Sequence, residues 1–123
     1  MKIITKILIT GSRIWKNKIQ LHKILKEELK EEDVIIHGGA PGVDSLTEKW
    51  CKQHDIKTII IRPTNPSRRE CYLQRNAEMI GMTERVIAFI SEKSGGTGFT
   101  IAYAIKRGRN VLEINENKKG VYC

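Results

Sequence analysis

The stretch His37-Gly38-Gly39-Ala40-Pro41-Gly42-Val43-Asp44 follows an apolar run, Val34-Ile35-Ile36, and precedes an amphipathic segment that runs from Val43 to about His54. That order predicts a strand, a glycine-rich turn and a helix. Three glycines within five residues permit positive φ and let backbone N–H groups approach a ligand with no Cβ in the way. A second stretch of the same kind, Ser94-Gly95-Gly96-Thr97-Gly98, lies between the apolar run Val86 to Ile90 and another helix-like segment. Two such turns predict one phosphate- or nucleotide-sized ligand held at the open edge of a parallel sheet. The plainer alternative is that the glycines only make tight strand-to-helix connections.

The remaining segments fit around these turns. Ile7-Leu8-Ile9 reads as a central strand buried on both faces and ends in Thr10-Gly11-Ser12-Arg13. Between Lys18 and Lys30, Leu21, Ile24, Leu25 and Leu29 recur at helical spacing. Ile56 to Ile61 is a third strand, and Arg68 to Ile80 a helix with Leu73, Ala77 and Ile80 inward. Thr83 to Ile90 is a fourth strand. The helix from Thr97 to Arg107 is apolar nearly all round, as for one packed closely on a sheet, and Asn110 to Ile114 is a fifth strand.

Five strands alternating with four helices predict a single α/β domain over residues 1–123, doubly wound, Rossmann-like and three-layered. Its five-stranded sheet is expected to be mainly parallel, in the order 3-2-1-4-5, with 115–123 a loosely held tail. The switch point then falls between strands one and four. There the Thr10 and Ser91 turns flank one crevice, with His37 to Asp44 beside it.

Charge and cysteine usage narrow the partners. Twenty-two Lys and Arg against 14 Asp and Glu leave a net charge of +8, which favours an anionic partner, a small phosphate or a nucleic acid. Aromatic residues are only 6% of the chain, so stacking platforms for nucleic acid are few; Trp15 is the one that reads as exposed near the crevice. The three cysteines, Cys51, Cys71 and Cys123, form no Cys-x-x-Cys pair, and neither a disulfide framework nor a metal site is expected. Cys51 reads as a small core residue, Cys123 as exposed, and Cys71 is the one candidate thiol nucleophile. No apolar run approaches the roughly 18 to 20 residues that span a bilayer, and the N-terminus lacks a signal-peptide pattern. A cytoplasmic protein with no membrane partner is expected.

Several side chains near the turns carry possible chemistry. Arg13 can grip a phosphate with its planar fork, or simply be solvated. His37 is either a hydrogen-bonding or acid-base group toward a ligand, or an imidazole that ties two loops together. Asp44 falls in the first turn of its helix, where its charge offsets the macrodipole and suits a ribose hydroxyl or base edge better than a phosphate; its alternative is helix capping. Arg62, Arg68, Arg69 and Arg75 form the most basic region, an anion funnel.

Thr10-Gly11-Ser12-Arg13, His37-Gly38-Gly39-Ala40-x-Gly42-x-Asp44, Arg75-Asn76-x-x-Met79 and Ser94-Gly95-Gly96-Thr97 together resemble the small proteins of the SLOG superfamily, which is Rossmann-like. The resemblance covers essentially the whole chain and implies a pocket for a nucleotide or nucleotide-derived ligand. Wider relatives include the Lonely guy phosphoribohydrolases, the DNA-processing proteins that bind single-stranded DNA, and sensors of nucleotide messengers. The phosphoribohydrolases use an arginine, matched by Arg75, and a glutamate in a Pro-Gly-Gly-x-Gly-Thr-x-x-Glu loop. At the glutamate this chain has Ala102 or Thr100, depending on the alignment. Asp44, or more weakly Glu78, is the carboxylate that could substitute.

The expectation is therefore nucleotide binding. Gly11, Ser12, Arg13, His37, Gly38, Gly39, Gly42, Asp44, Arg75, Asn76, Ser94, Gly95, Gly96, Thr97 and Gly98 are expected to form the site. No cofactor is required, and a nucleotide is the bound ligand. The alternatives are N-glycosidic hydrolysis of a nucleotide, with Asp44, Arg75 and Glu78 as catalytic candidates, and single-stranded nucleic-acid binding. A homodimer, through Trp50 or Tyr72, is a further possibility.

Overall fold

A computed structural model describes residues 4–91 and 95–117. The chain runs β1 (Lys6–Gly11), α1 (Lys18–Glu28), β2 (Val34–His37), α2 (Val43–Gln53), β3 (Lys57–Ile60), α3 (Arg69–Met82), β4 (Arg85–Ile90), α4 (Gly95–Lys106) and β5 (Asn110–Asn115). The five strands form one sheet in the order β3-β2-β1-β4-β5, and every pairing is parallel. This is the doubly wound α/β architecture expected from the alternation of elements.

The central position of β1 follows from its composition. Ile7 and Ile9 point to one face, where they join Leu21 and Leu25 of α1 with Val43, Trp50 and Cys51 of α2. Leu8 points to the other, with Met79 and Ile80 of α3 and Ala104 of α4. A strand with both faces covered needs an unbroken apolar run, which Ile7-Leu8-Ile9 supplies. Burial among apolar neighbours also pushes the Cys51 thiol up to about 12, so it is a packing residue and not a nucleophile.

Four expectations are corrected. Trp15 is buried: its indole packs edge-on against Phe89 at 5.3 Å and its Nε1–H donates to the Asn17 carbonyl. Trp50 is buried as well, stacked on His54 at 4.0 Å, and so presents no dimer contact. The inward face of α3 is Arg75, Met79 and Ile80, whereas Leu73 and Ala77 are half-buried. Residues 115–117 are tied down, because the Glu116 carboxylate accepts the amides of Lys16 and Asn17 at 2.7 and 2.9 Å. Residues 118–123, including Cys123, lie outside the described part.

The second glycine stretch also differs from its reading as a turn. α4 starts at Gly95, two residues before Thr97, so Gly95, Gly96 and Gly98 belong to the helix. Thr97, Thr100 and Ala104 bury one side of α4, and such packing outweighs glycine's poor helix propensity. The opposite side is open: Phe99 is 39% and Ile105 61% exposed, so the apolar sequence of α4 is buried on one face only.

Candidate functional site

The chain leaves the carboxyl ends of β1 and β4 toward opposite faces of the sheet, and a cleft of about 680 Å³ opens at this switch point. The β1–α1 turn supplies Ser12, Arg13 and Ile14. Asp44 enters from α2, and Thr97 and Thr100 from α4. The remaining wall is the β3–α3 loop and α3, with Arg68, Arg69, Tyr72, Arg75 and Asn76 among its residues.

The first glycine turn builds this cleft and lines it through Ala40, while its glycines stand behind the wall. Gly42 has φ +79°, and a Cβ there would lie 2.3 Å from the Ser12 carbonyl oxygen, which accepts the Val43 amide at 3.1 Å. The start of α2 is thereby pinned against the β1–α1 turn. The amides ahead of it are already engaged: Gly38 and Ala40 donate to Asp44 Oδ2 at 3.2 and 3.1 Å, and Gly39 donates to His37 Nδ1 at 3.0 Å. These three N–H groups grip side chains of the protein itself, so this turn is a holder for Asp44 and not a phosphate cradle.

Asp44 is 7% exposed, and its Oδ1 is buried in the cleft wall with no hydrogen-bond partner among the described residues. Burial pushes its carboxyl above the usual range, although the Ala40 and Gly38 amides and Arg75 pull the other way. A buried acceptor without a donor is costly, and a ligand hydroxyl or amine would satisfy it. Asp44 thus does not cap its own helix; Gly42 occupies that position and makes no side-chain cap.

Arg75 is buried on α3 and reaches across to the sheet. Its Nη1 donates to the carbonyls of Gly38 at 2.9 Å and Ile61 at 3.1 Å, and its Nε to Asn76 Oδ1 at 2.9 Å. Gly38 is required by this seat, because a Cβ there would sit 2.3 Å from Nη1. Arg13 and Arg75 both lie against the Tyr72 ring, 5.2 and 5.4 Å from its centroid. Burial and the nearby Arg13 lower the pKa of Arg75, while Asp44 offsets them. Two guanidiniums sharing one ring leave a local excess of positive charge.

Of the residues expected from sequence, Gly11, Ser12, Arg13, Asp44, Arg75, Asn76 and Thr97 line the cleft. His37, Gly38, Gly39 and Gly42 stand behind it as supports. His37 is 1% exposed and its ring bridges Gly39 and Glu48, so it is the tie between loops and not a group that meets ligand. Glu78 is exposed on α3 and is not among the cleft residues, which removes it as a catalytic candidate. Gly98 is exposed on α4 outside this cleft, Gly95 and Gly96 form the start of that helix, and Ser94 lies outside the described residues. Sequence reasoning missed Glu48 and the place of Tyr72 in the cleft. The i, i+4 spacing of Asp44 and Glu48 on an amphipathic helix was the available signal for the first. Among the described residues no three His, Cys, Asp or Glu side chains converge as a metal site would need.

The model of the family described as YAcAr, the YspA and cpYpsA-related SLOG family, matches residues 5–65, which hold β1, the glycine turn and Asp44. The chain belongs to the SLOG superfamily. The Gene 61 protein of Mycobacterium phage D29 is 28% identical over 121 residues, covering 90% of this SLOG chain and 97% of that protein. Among solved structures, DNA processing protein A (DprA) from Streptococcus pneumoniae superposes with a TM-score of 0.78 at 20% identity over 89% of the chain. DprA from Helicobacter pylori, described as binding single-stranded DNA, gives 0.74 at 21% identity over 89%. The TM1055 protein gives 0.65 at 16% identity over 87%. The chain spans 50% and 64% of the two DprA chains and 72% of TM1055, and at these identities the likeness is one of fold. No helix among the described residues is long and apolar enough to cross a membrane.

Proposed function

We propose that this SLOG protein binds a nucleotide-type ligand in the cleft between the ends of β1 and β4. The observation that carries this reading is Asp44 Oδ1, a buried acceptor without a donor, in a cleft whose other charged residues are Arg13, Arg68, Arg69 and Arg75. A ligand that answers both features carries anionic groups and, a few ångströms away, a neutral hydrogen-bond donor. A phosphorylated nucleoside has that composition. Arg13 and the outer arginines take the phosphate charge, Asp44 accepts a ribose hydroxyl or base amine, and the start of α4 at Gly95 to Thr97 adds the favourable end of a helix dipole. Thermal-shift measurements with nucleoside mono- and diphosphates, cyclic nucleotides and ADP-ribose test this. Stabilisation that Arg13→Ala abolishes is the expected result, and no stabilisation by any member overturns it.

Turnover is a second reading, favoured by the burial that pushes the Asp44 carboxyl above its ordinary range, the direction a general acid toward a leaving base needs. Chromatography of nucleoside monophosphates and NAD after long incubation decides it, and intact substrates rule it out. A third ligand, single-stranded nucleic acid, fits the same arginines. Its signature is an affinity that falls steeply with salt, beyond what a mononucleotide shows.

A further inference from the structure

The cations of the cleft are arranged along a line. Arg68, Tyr72 and Arg75 fall at i, i+4 and i+7 on α3 and its N-cap, so they share one face, and all three line the cleft. At 1.5 Å per residue, Arg68 and Arg75 are separated by about 10 Å along the helix axis. Arg13 comes from the opposite wall to the same ring as Arg75. The cleft therefore has an inner cationic position, where Arg13 and Arg75 meet at Tyr72, and an outer one at Arg68 with Arg69 beside it.

The outer position is unfavourable as it stands. Arg68 and Arg69 are at the positive end of the α3 dipole, where cations are destabilising, and Glu70 is the one acidic residue in that first turn. Arg68 meets Glu70 at 3.2 Å, but both side chains are more than 60% exposed, so the pair is weak and open to exchange. A second anion at this end would relieve the repulsion. The buried, unpartnered Asp44 Oδ1 marks independently that the same cleft takes a ligand.

Resting on the nucleotide reading above, we propose that the ligand carries two linked phosphate groups, the inner one held by Arg13, with the charge of the anchored Arg75 behind it, and the outer one by Arg68. A single phosphate would fill one position and leave the other repulsive. The two phosphates can be a pyrophosphate within one nucleotide or successive phosphates of a short strand.

Calorimetric titration at one fixed, low ionic strength with AMP, ADP and the 5′-phosphorylated dinucleotide pApA tests this in the wild type, Arg68→Ala and Lys49→Ala. Lys49→Ala removes the same charge from the exposed side of α2, away from the cleft. ADP or pApA is expected to bind about tenfold or more tightly than AMP, with that ratio collapsing in Arg68→Ala and persisting in Lys49→Ala. An advantage for ADP assigns the pyrophosphate source, and an advantage for pApA alone assigns the strand. AMP binding as tightly as both others, or a ratio equally sensitive to the two substitutions, overturns the two-phosphate proposal and leaves the nucleotide reading standing. Failure of all three to bind overturns the two-phosphate proposal, and the thermal-shift panel then decides the nucleotide reading separately.

Discussion

Glu48 accepts the Nε2 proton of His37 at 2.7 Å, while the other ring nitrogen, Nδ1, accepts the Gly39 amide at 3.0 Å. The second bond leaves Nδ1 unprotonated, so the first fixes His37 as the neutral Nε2–H tautomer. The imidazole is the middle link of a chain from α2 to the turn that holds Asp44. Glu48→Ala strands a buried N–H and is expected to cost about 1–3 kcal/mol in urea unfolding, whereas Glu48→Gln keeps an acceptor and costs less than about 1 kcal/mol. Nitrogen shifts of the His37 ring read the tautomer directly, and a protonated Nδ1 in the wild type contradicts the assignment.

Gly42 and Gly98 look alike in sequence and differ in what they do. Gly42 combines positive φ with a backbone oxygen 2.3 Å from the place of a Cβ, so no side-chain adjustment relieves a substitution there. Gly42→Ala is expected to destabilise by about 2 kcal/mol or more and to weaken ligand binding by shifting the start of α2. Gly98 is helical and has nothing within 4 Å of where a Cβ would sit, so Gly98→Ala is expected to stabilise by roughly 0.5–1 kcal/mol. Denaturant midpoints of the two variants, moving in opposite directions, check both.

The sheet order was legible because Ile7-Leu8-Ile9 has no polar face, which places β1 centrally, and because each apolar run is separated from the next by one helical segment. Arg13 and Asp44 could be placed at one site because in a doubly wound sheet the strand ends after β1 and β2 must lie side by side, whereas Arg75 and Asn76, which follow β3, were placed there only by their match to the SLOG motif. The use of the turn amides was not legible. The glycines of the first turn read as bringing N–H groups to a ligand, and only three dimensions reveal that Asp44 and His37 fold back to accept the hydrogen bonds of Gly38, Gly39 and Ala40. Trp15 misled for a related reason: it follows a charged turn, yet it packs inward against Phe89.

Arg75 and Arg13 separate support from recognition. Arg75→Lys keeps the charge but loses the fork that reaches the Gly38 and Ile61 carbonyls together. It is expected to cost about 2–3 kcal/mol of stability and to weaken binding as a consequence. Arg13 is exposed, so Arg13→Ala should leave the unfolding midpoint within about 0.5 kcal/mol of wild type while removing nucleotide binding. Paired unfolding and titration curves check this, and a large stability loss in Arg13→Ala would place that residue among the supports.

Asp44 is the residue where stability and function pull apart. Its folded-state pKa lies above the ordinary value of 3.8, so the folded protein binds this proton more tightly than the unfolded chain does. The contribution to stability is therefore fully present below about pH 3.8 and is lost as pH rises through the folded-state value. Asp44→Asn keeps an oxygen for the Gly38 and Ala40 amides and removes the buried charge. The variant is expected to be more stable than wild type at pH 7, on the order of 1 kcal/mol, the usual gain when a functional site is relieved. That gain should shrink as the pH falls, because the wild-type carboxyl takes up its proton above the ordinary range and then carries no buried charge either. Nucleotide binding at pH 7 should be lost in the same variant, since an amide N–H would face the ligand's own donor. Melting curves of both proteins between pH 4 and 8 check the trend; a gain that grows as the pH falls would show that the Arg75 and backbone contacts, and not burial, govern this carboxylate.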